Sequence, residues 1–472
     1  MPRHTTVFER LAPHPDLVED SLRGTRPSVF WLDDVARTTS HESLVGTRDA
    51  DLTVVGGGYC GLWTAVLAKR RDPASRVVLL EAETIGWAAS GRNGGFAEAS
   101  LTHGEENGLA RWADEADTLD RLGAENLDGF ESDIADLGLD CQFERTGNLA
   151  VAYEPHEVAW LEEMEAGELL DQDAVRAEVA SPVYAAGRWT RQDGALVHPA
   201  RLATELARVA AELGVEIHEH TTVTGLESGR SGPVTVRTTR GAVRSGTVAL
   251  ATNVFTPLLR RARLMTVPVY DYVLMTEPLS SEQRAAIGWR NRQGISDLAN
   301  QFHYSRLSAD GRILYGGYDA IYHAGGRVSS EHDHREASYR TLASHFLTTY
   351  PQLEGVSFSH RWGGAIDTST QFCAFHGLAR RGRVAYAAGF TGLGVTATRF
   401  AAEVMLDRLG GADTPRTRLE MVRKKPLPFP PEPFAKIGIE ATKWSLDRAD
   451  HREGRRNLLL RTMDRLGLGF DS

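Results

Sequence analysis

Long apolar runs are missing from this sequence. No stretch reaches the roughly 18 consecutive apolar residues that cross a bilayer, so no transmembrane helix is expected. The opening Met1-Pro-Arg-His-Thr-Thr lacks the apolar core of a secretory signal. Cysteine is scarce. Cys60, Cys141 and Cys373 are odd in number and scattered, which argues against a disulfide framework and for a reducing compartment, with cytoplasm as the expected location. An excess of positive charge is also absent: the net charge is −10 and the pI near 5.9. That balance gives no electrostatic reason to expect nucleic acid or an anionic membrane as partner. Lysine is the last scarcity. After Lys69 the next is Lys424, and arginine carries the positive charge between them.

What is present is ordinary in bulk and specific in detail. At 472 residues the chain exceeds what one core serves, so two interlocked domains are expected. Residues 1–44 read as an irregular arm anchored by Phe30-Trp31-Leu32. A regular pattern then begins. Leu52-Thr-Val-Val55 is a short apolar run suited to a buried parallel strand. Gly56-Gly-Gly-Tyr-Cys-Gly61 follows, then a helical stretch from Leu62. Val77-Val-Leu-Leu80 is a second strand that ends at Glu81. Together they make one βαβ unit of about 30 residues, the size of a mononucleotide-binding half. Beyond about residue 423 the chain turns proline-rich, Pro426 to Pro433, and then helical and arginine-rich.

The central motif is Gly56-x-Gly58-x-x-Gly61. The first glycine permits the tight strand-to-helix turn, the second lets backbone approach a pyrophosphate, and the third allows close helix–strand packing. The next helix aims its N-terminal N–H groups and positive dipole end at the phosphates. Glu81 stands twenty residues beyond Gly61, where a carboxylate can accept from ribose hydroxyls and disfavours a 2′-phosphate. Two further glycine-rich loops follow. Ala89-Ser-Gly-Arg-Asn-Gly-Gly95 offers close backbone approach to a flat ligand, with Arg92 and Asn93 as donors. Ala388-Gly-Phe-Thr-Gly-Leu-Gly394 precedes a helix whose N-terminus would stabilise negative charge.

These motifs, together with Asp193-Gly-Ala-Leu-Val-His-Pro199 and Arg361-Trp-Gly-Gly364 in the same order, resemble the FAD-dependent D-amino-acid oxidase superfamily. The branch is the one with glycine and sarcosine oxidases and γ-glutamylputrescine oxidoreductase. The resemblance spans about residues 28–410, and the tail is similar to that of aminophosphonate-oxidoreductase-like members. It implies an α/β fold: a discontinuous Rossmann-type FAD domain beside an α+β substrate domain on a mostly antiparallel sheet. The expected division gives 45–103, 186–265 and 361–422 to the FAD domain, 104–185 and 266–360 to the substrate domain, and 423–472 to a helical tail. It implies oxidation of the C–N bond of a small primary or secondary amine by hydride transfer to flavin. Carried over, Gly56, Gly58, Gly61 and Glu81 hold the ADP half, with Tyr59, Cys60 and Ala82 beside them. Ser90, Arg92, Asn93 and Gly94 sit near the flavin, and Val223 would bond the adenine through its backbone. Gly389, Gly392, Leu393, Gly394 and Val395 cap the pyrimidine edge.

Departures from the family pattern are informative. Where sarcosine-oxidase-like members carry a lysine for the substrate carboxylate, this chain has Thr396. Gly363 stands near the position where some members attach flavin to cysteine, so non-covalent FAD is expected. The lysine gap removes the residue many members use beside the flavin for oxygen chemistry. Candidate substrate-side residues are Arg92, Tyr270, Tyr272, His303, Tyr304 and Arg306. Alternation puts Tyr270 and Tyr272 on one strand face, where core or interface packing is the commoner explanation for such aromatics. Arg306 suits either a substrate carboxylate or phosphonate, or a surface ion pair. His218-Glu-His220 and His332-Asp-His334 lack the spacing of a metal site, and no metal is expected. Expected partners are a small amine and, through the tail, a second copy of the chain. Two alternatives remain open: a dehydrogenase with an acceptor other than oxygen, and a flavin-binding module without turnover.

Overall fold

The computed structural model describes residues 4–36, 40–255, 257–465 and 467–468. Parts of the expected arm and tail, residues 1–3, 37–39, 466 and 469–472, lie outside them. Two large sheets organise the chain. The first has eight strands, with Gly46–Val55 at its centre. Gly46–Val55 pairs in parallel with Val77–Leu80 on one side and Gly241–Leu250 on the other. Glu216–His218 and Val384–Ala388 extend the parallel set. Leu52, Val54, Val55 and all of Val77–Leu80 are buried because both faces of the sheet are covered. Tyr59–Arg71, Pro199–Glu212 and Gly394–Leu409 supply one layer, with Trp63, Leu206 and Ala401 fully buried among them. A meander of Val223–Ser228 and Val234–Thr238 folds over the other face.

The second sheet has nine strands, antiparallel except where Gly294–Asp297 runs parallel to Asn148–Ala152. Its longest pairing joins Thr266–Thr276 to Phe358–Ser369. One face packs on the helix Glu336–Thr349, where Tyr270, Tyr272, Leu274, Tyr339 and Phe346 form a core. The other face carries Val273, Met275, Leu314 and Trp362 toward Trp31 and the first domain. This is the expected fold class.

Three expected boundaries move. Ala186–Thr190, taken as nucleotide-domain chain, pairs with Asn148–Ala152 in the second sheet. Phe358–Ser369 belongs to the second sheet across the boundary at 361. The helix Ala116–Leu137, taken as substrate domain, buries Leu127, Phe130 and Ile134 in the first core beside Trp63. Its amphipathic stripe is local, but the partner it covers is set by tertiary packing.

The arm and tail dock on their own chain. Trp31, 1% exposed, donates from Nε1 to the Asn93 carbonyl at 3.0 Å. The tail bonds the body through Phe429 N to Leu264 O, Tyr322 Oη to Glu432 and Lys443 Nζ to Asp319. The tail helix Phe434–Asp450 keeps Phe434, Ile437 and Trp444 exposed.

Candidate functional site

The first glycine turn is built so that side chains cannot enter it. Gly56 has φ +112°, and a Cβ there would lie 2.3 Å from Ala251 O. A Cβ on Gly61 would lie 1.9 Å from Gly56 O. Gly58 is the N-cap of Tyr59–Arg71 and has no side chain of its own to cap that helix. The Tyr59 and Cys60 side chains are buried, the Tyr59 hydroxyl donating to Pro199 O at 2.9 Å, so both offer the turn only backbone. Ser90 crosses to it: its Oγ accepts from Tyr59 N–H at 2.9 Å. Glu81 accepts from Gly57 N–H at 2.6 Å, and from Glu83 N–H and Trp87 Nε1–H at 2.9 Å each. Burial pushes its carboxyl upward against those bonds. Ala82 beside it is exposed. The Thr221 N–H donates to Glu81 O at 2.7 Å, which brings Val223 to this corner.

The late glycine loop makes a second helix start. Gly389 has φ +78° and Gly392 φ +99°. Gly389 N–H donates to Asp367 Oδ2 at 2.6 Å. Leu393 is the N-cap of Gly394–Leu409, again with no side-chain cap, and Val395 is buried behind it. Thr396 spends its hydroxyl on the Glu98 carbonyl at 2.6 Å.

The loop between them is held from both domains. Arg92 pairs with Asp333 at 2.6 Å and donates to the Trp87 and Gly363 carbonyls. Trp362 Nε1 donates to Arg92 O at 2.8 Å. Asn93 closes its own turn, donating to Ala89 O and Ser90 O and accepting from Gly95 N–H. Gly94 presses on Tyr304: a Cβ there would meet its ring at 2.9 Å. Arg306 is 2% exposed and donates from Nη1 to the carbonyls of Gly94, Gly95 and Val197. It makes no ion pair among the described residues. Burial without a carboxylate partner pushes its guanidinium down to about 9.

Three candidates lie on the far face of the second sheet. Tyr270 exchanges bonds with Ser329, and Tyr272 donates to His332 O at 2.9 Å. His303 sits between Asp297 and His345, at 2.7 and 2.8 Å, and burial holds it neutral, down to about 3. The structure does not bring these three to the glycine loops. The face they leave free belongs to Asp271 and Tyr304. Tyr304 Oη donates to Asp271 Oδ2 at 2.6 Å, and burial pushes the Asp271 carboxyl up to about 6. Sequence reasoning passed over Asp271, which alternates with the two tyrosines. It also passed over Glu98.

Gly56, Gly58, Ser90, Asn93, Phe96, Glu98, Asp271, Tyr304 and Gly364 all keep partial exposure, and contacts link them in turn, Ser90 to the first turn, Gly94 and Phe96 to Tyr304, and Tyr304 to Asp271. They outline a crevice with a helix N-terminus at each glycine-rich end. A phosphate-bearing, flat cofactor suits these residues. The Gly56–Gly61 turn and the Tyr59–Arg71 helix start would hold the pyrophosphate, Glu81 the ribose, and the 90–94 and 389–395 loops the ring.

Residues 51–408 match the family model described as FAD dependent oxidoreductase (DAO). The chain is 32% identical to gamma-glutamylputrescine oxidoreductase of Escherichia coli strain K12 over 379 residues, 76% of this chain and 84% of that one. It is 27% identical to the probable oxidoreductase OrdL of Haemophilus influenzae over 400 residues, 81% of this chain and 88% of that one. In three dimensions it resembles glycine oxidase from Geobacillus kaustophilus, with TM-score 0.65, 21% identity and coverage of 78% and 96%. The glycine-lined crevice and these matches lead to one identification: the chain belongs to the DAO family of FAD-dependent oxidoreductases.

Proposed function

We propose that this enzyme oxidises the C–N bond of a small primary or secondary amine, giving an imine that water hydrolyses. The observation that carries the reading is the crevice, where cofactor-suited glycine loops face a substrate wall made by Asp271, Tyr304 and Phe96. FAD held non-covalently there would supply the hydride acceptor. The chain's own residues orient the amine and exclude water. The amine reacts in its neutral form, so an ammonium that enters must first give up a proton. Asp271 is placed to take that proton. The names of relatives, gamma-glutamylputrescine oxidoreductase and sarcosine oxidase subunit beta, support an amine substrate. The three cysteines, buried and unbridged, support a cytoplasmic location.

The test is anaerobic mixing of holoenzyme with amino acids, N-methylated amino acids, diamines and aminophosphonates. Bleaching of the visible flavin band by at least one class is expected. A flavin that no amine reduces would refute the reading. A second reading concerns the acceptor: Lys69 is bonded to the Pro73 and Ser75 carbonyls, and the rest of the body carries no lysine. That favours an acceptor other than oxygen, and slow reoxidation of reduced enzyme in air would support it. We also propose a homo-oligomer in which the exposed Phe434, Ile437 and Trp444 face of the net-basic tail seats on a second, net-acidic copy. Sedimentation reads it.

A further inference from the structure

We propose that Glu98 is the anchor for a second, non-reacting ammonium of the substrate, so that the enzyme takes diamines rather than carboxylated amines. This rests on the amine reading above and deepens it.

The placement of Glu98 follows from strand geometry. Phe96–Glu98 pairs antiparallel with Gly194–Leu196, Glu98 lying opposite Gly194. Successive side chains on a strand alternate. Ala97 is fully buried in the first domain's core, so Phe96 and Glu98 face the opposite way, into the crevice. Phe96 confirms that direction, its ring lying 5.7 Å from the Tyr304 ring in an edge-on arrangement. The backbone of Glu98 is fixed by Thr396 Oγ1, at 2.6 Å from its carbonyl. Its carboxylate has no hydrogen-bond or ion-pair partner among the described residues, and burial alone pushes it upward. A carboxylate that faces the crevice away from other charges is stabilised in its ionised form by a cation that comes to pair with it.

The neighbouring charges decide what that partner is. The nearby cations are committed: Arg92 to Asp333, and Arg306 to three carbonyls. Thr396 is committed to Glu98 itself. The crevice therefore offers carboxylates and aromatic faces, and an ammonium satisfies both. A substrate carboxylate would meet repulsion from Glu98 and Asp271. The reacting nitrogen must be neutral to release hydride from its carbon, whereas an ionised Glu98 pairs best with a cation. One nitrogen cannot do both, so the substrate carries two.

Three ligands test this on holoenzyme: 1,4-diaminobutane, its mono-N-acetyl derivative and sarcosine. Binding is read by thermal shift, which does not depend on turnover, and by the concentration dependence of anaerobic flavin reduction. Wild type is expected to bind the diamine about tenfold or more tighter than the acetylated form, the scale of one charge-assisted bond. Glu98→Gln should erase that difference while retaining FAD, with the limiting reduction rate changed far less than the half-saturating concentration. Glu98→Asp should restore part of it. Equal affinity of wild type for all three ligands, preference for sarcosine, or an unchanged preference in Glu98→Gln would overturn the proposal. If thermal shift shows diamine binding but no amine bleaches the flavin, the oxidation reading fails and the anchor stands.

Discussion

Asp367 shows what one buried carboxylate does for a glycine turn, and what it costs. It accepts from Gly389 N–H at 2.6 Å, and burial pushes it up to about 7. In the unfolded chain an aspartate titrates near ~3.9. Between those values the folded protein keeps a proton that the unfolded chain has released. The folded state then binds more protons, so stability falls as pH rises. The penalty is absent below about pH 4, grows through the window, and is complete above about pH 7, on the order of 4 kcal/mol. Asp367→Asn retains an acceptor for Gly389 and removes the titration. Its Tm, measured by calorimetry against wild type, should gain on wild type from about pH 4 to about pH 7. Parallel Tm curves would show that Asp367 does not titrate there. Residues of this kind were not legible in the sequence. The Gly56–Gly61 turn and Glu81 were, because strand, turn, helix and acid lie within one local unit. Asp367 meets Gly389 only through the folded sheet.

At the scale of elements, alternation was legible and orientation was not. The pattern puts Tyr270 and Tyr272 on one face, and they are on one face. Which face looks at the cofactor domain depends on the pairing of Thr266–Thr276 with Phe358–Ser369, and on Glu336–Thr349 covering one side. Glu98 was hidden for the same reason, its direction being set by a strand about a hundred residues later. The Asp193–Pro199 motif turns out to be that strand followed by a helix cap, with His198 Nδ1 accepting from Arg201 N–H. Elements also lock each other. Asp133, buried on Ala116–Leu137, pairs with Arg70 at the end of Tyr59–Arg71 and with Arg399 on Gly394–Leu409 at 2.7 Å. It therefore ties together the two helices whose starts face the crevice. Asp133→Ala leaves Arg70 and Arg399 only their longer pairs, to Asp136 at 3.8 Å and Glu403 at 3.7 Å. A loss of about 1–2 kcal/mol in urea unfolding is expected. FAD should also dissociate faster, because the two helix starts lose their common strut. An unchanged FAD off-rate with lowered stability would show that the strut does not reach the crevice.

For the whole molecule, the question is what holds two sheets around a crevice rather than letting them part. Apolar contact across the junction is modest, centred on Trp31, Val273, Met275, Leu314 and Trp362. The polar contacts converge on one short loop. Trp31 of the arm bonds Asn93 O. Trp362 and Asp333 of the second domain bond Arg92, and Arg306 bonds Gly94 O and Gly95 O. Residues 92–95 thus act as a single clamp, with the Arg92–Asp333 pair about 18% and 16% exposed at its outer side. A partly buried pair of this kind is worth about 1–3 kcal/mol, more than a surface pair and less than a domain core. Cutting it should loosen the junction and leave each core intact. Arg92→Ala is therefore expected to raise amide hydrogen exchange at 90–95 and at 329–335 together. Exchange in Gly46–Val55 and in Glu336–Thr349 should stay as in wild type, since local opening draws on local contacts. Faster exchange confined to 90–95 would mean that the second domain is held independently of the clamp. Faster exchange everywhere would mean that the two sheets fold and unfold as one unit.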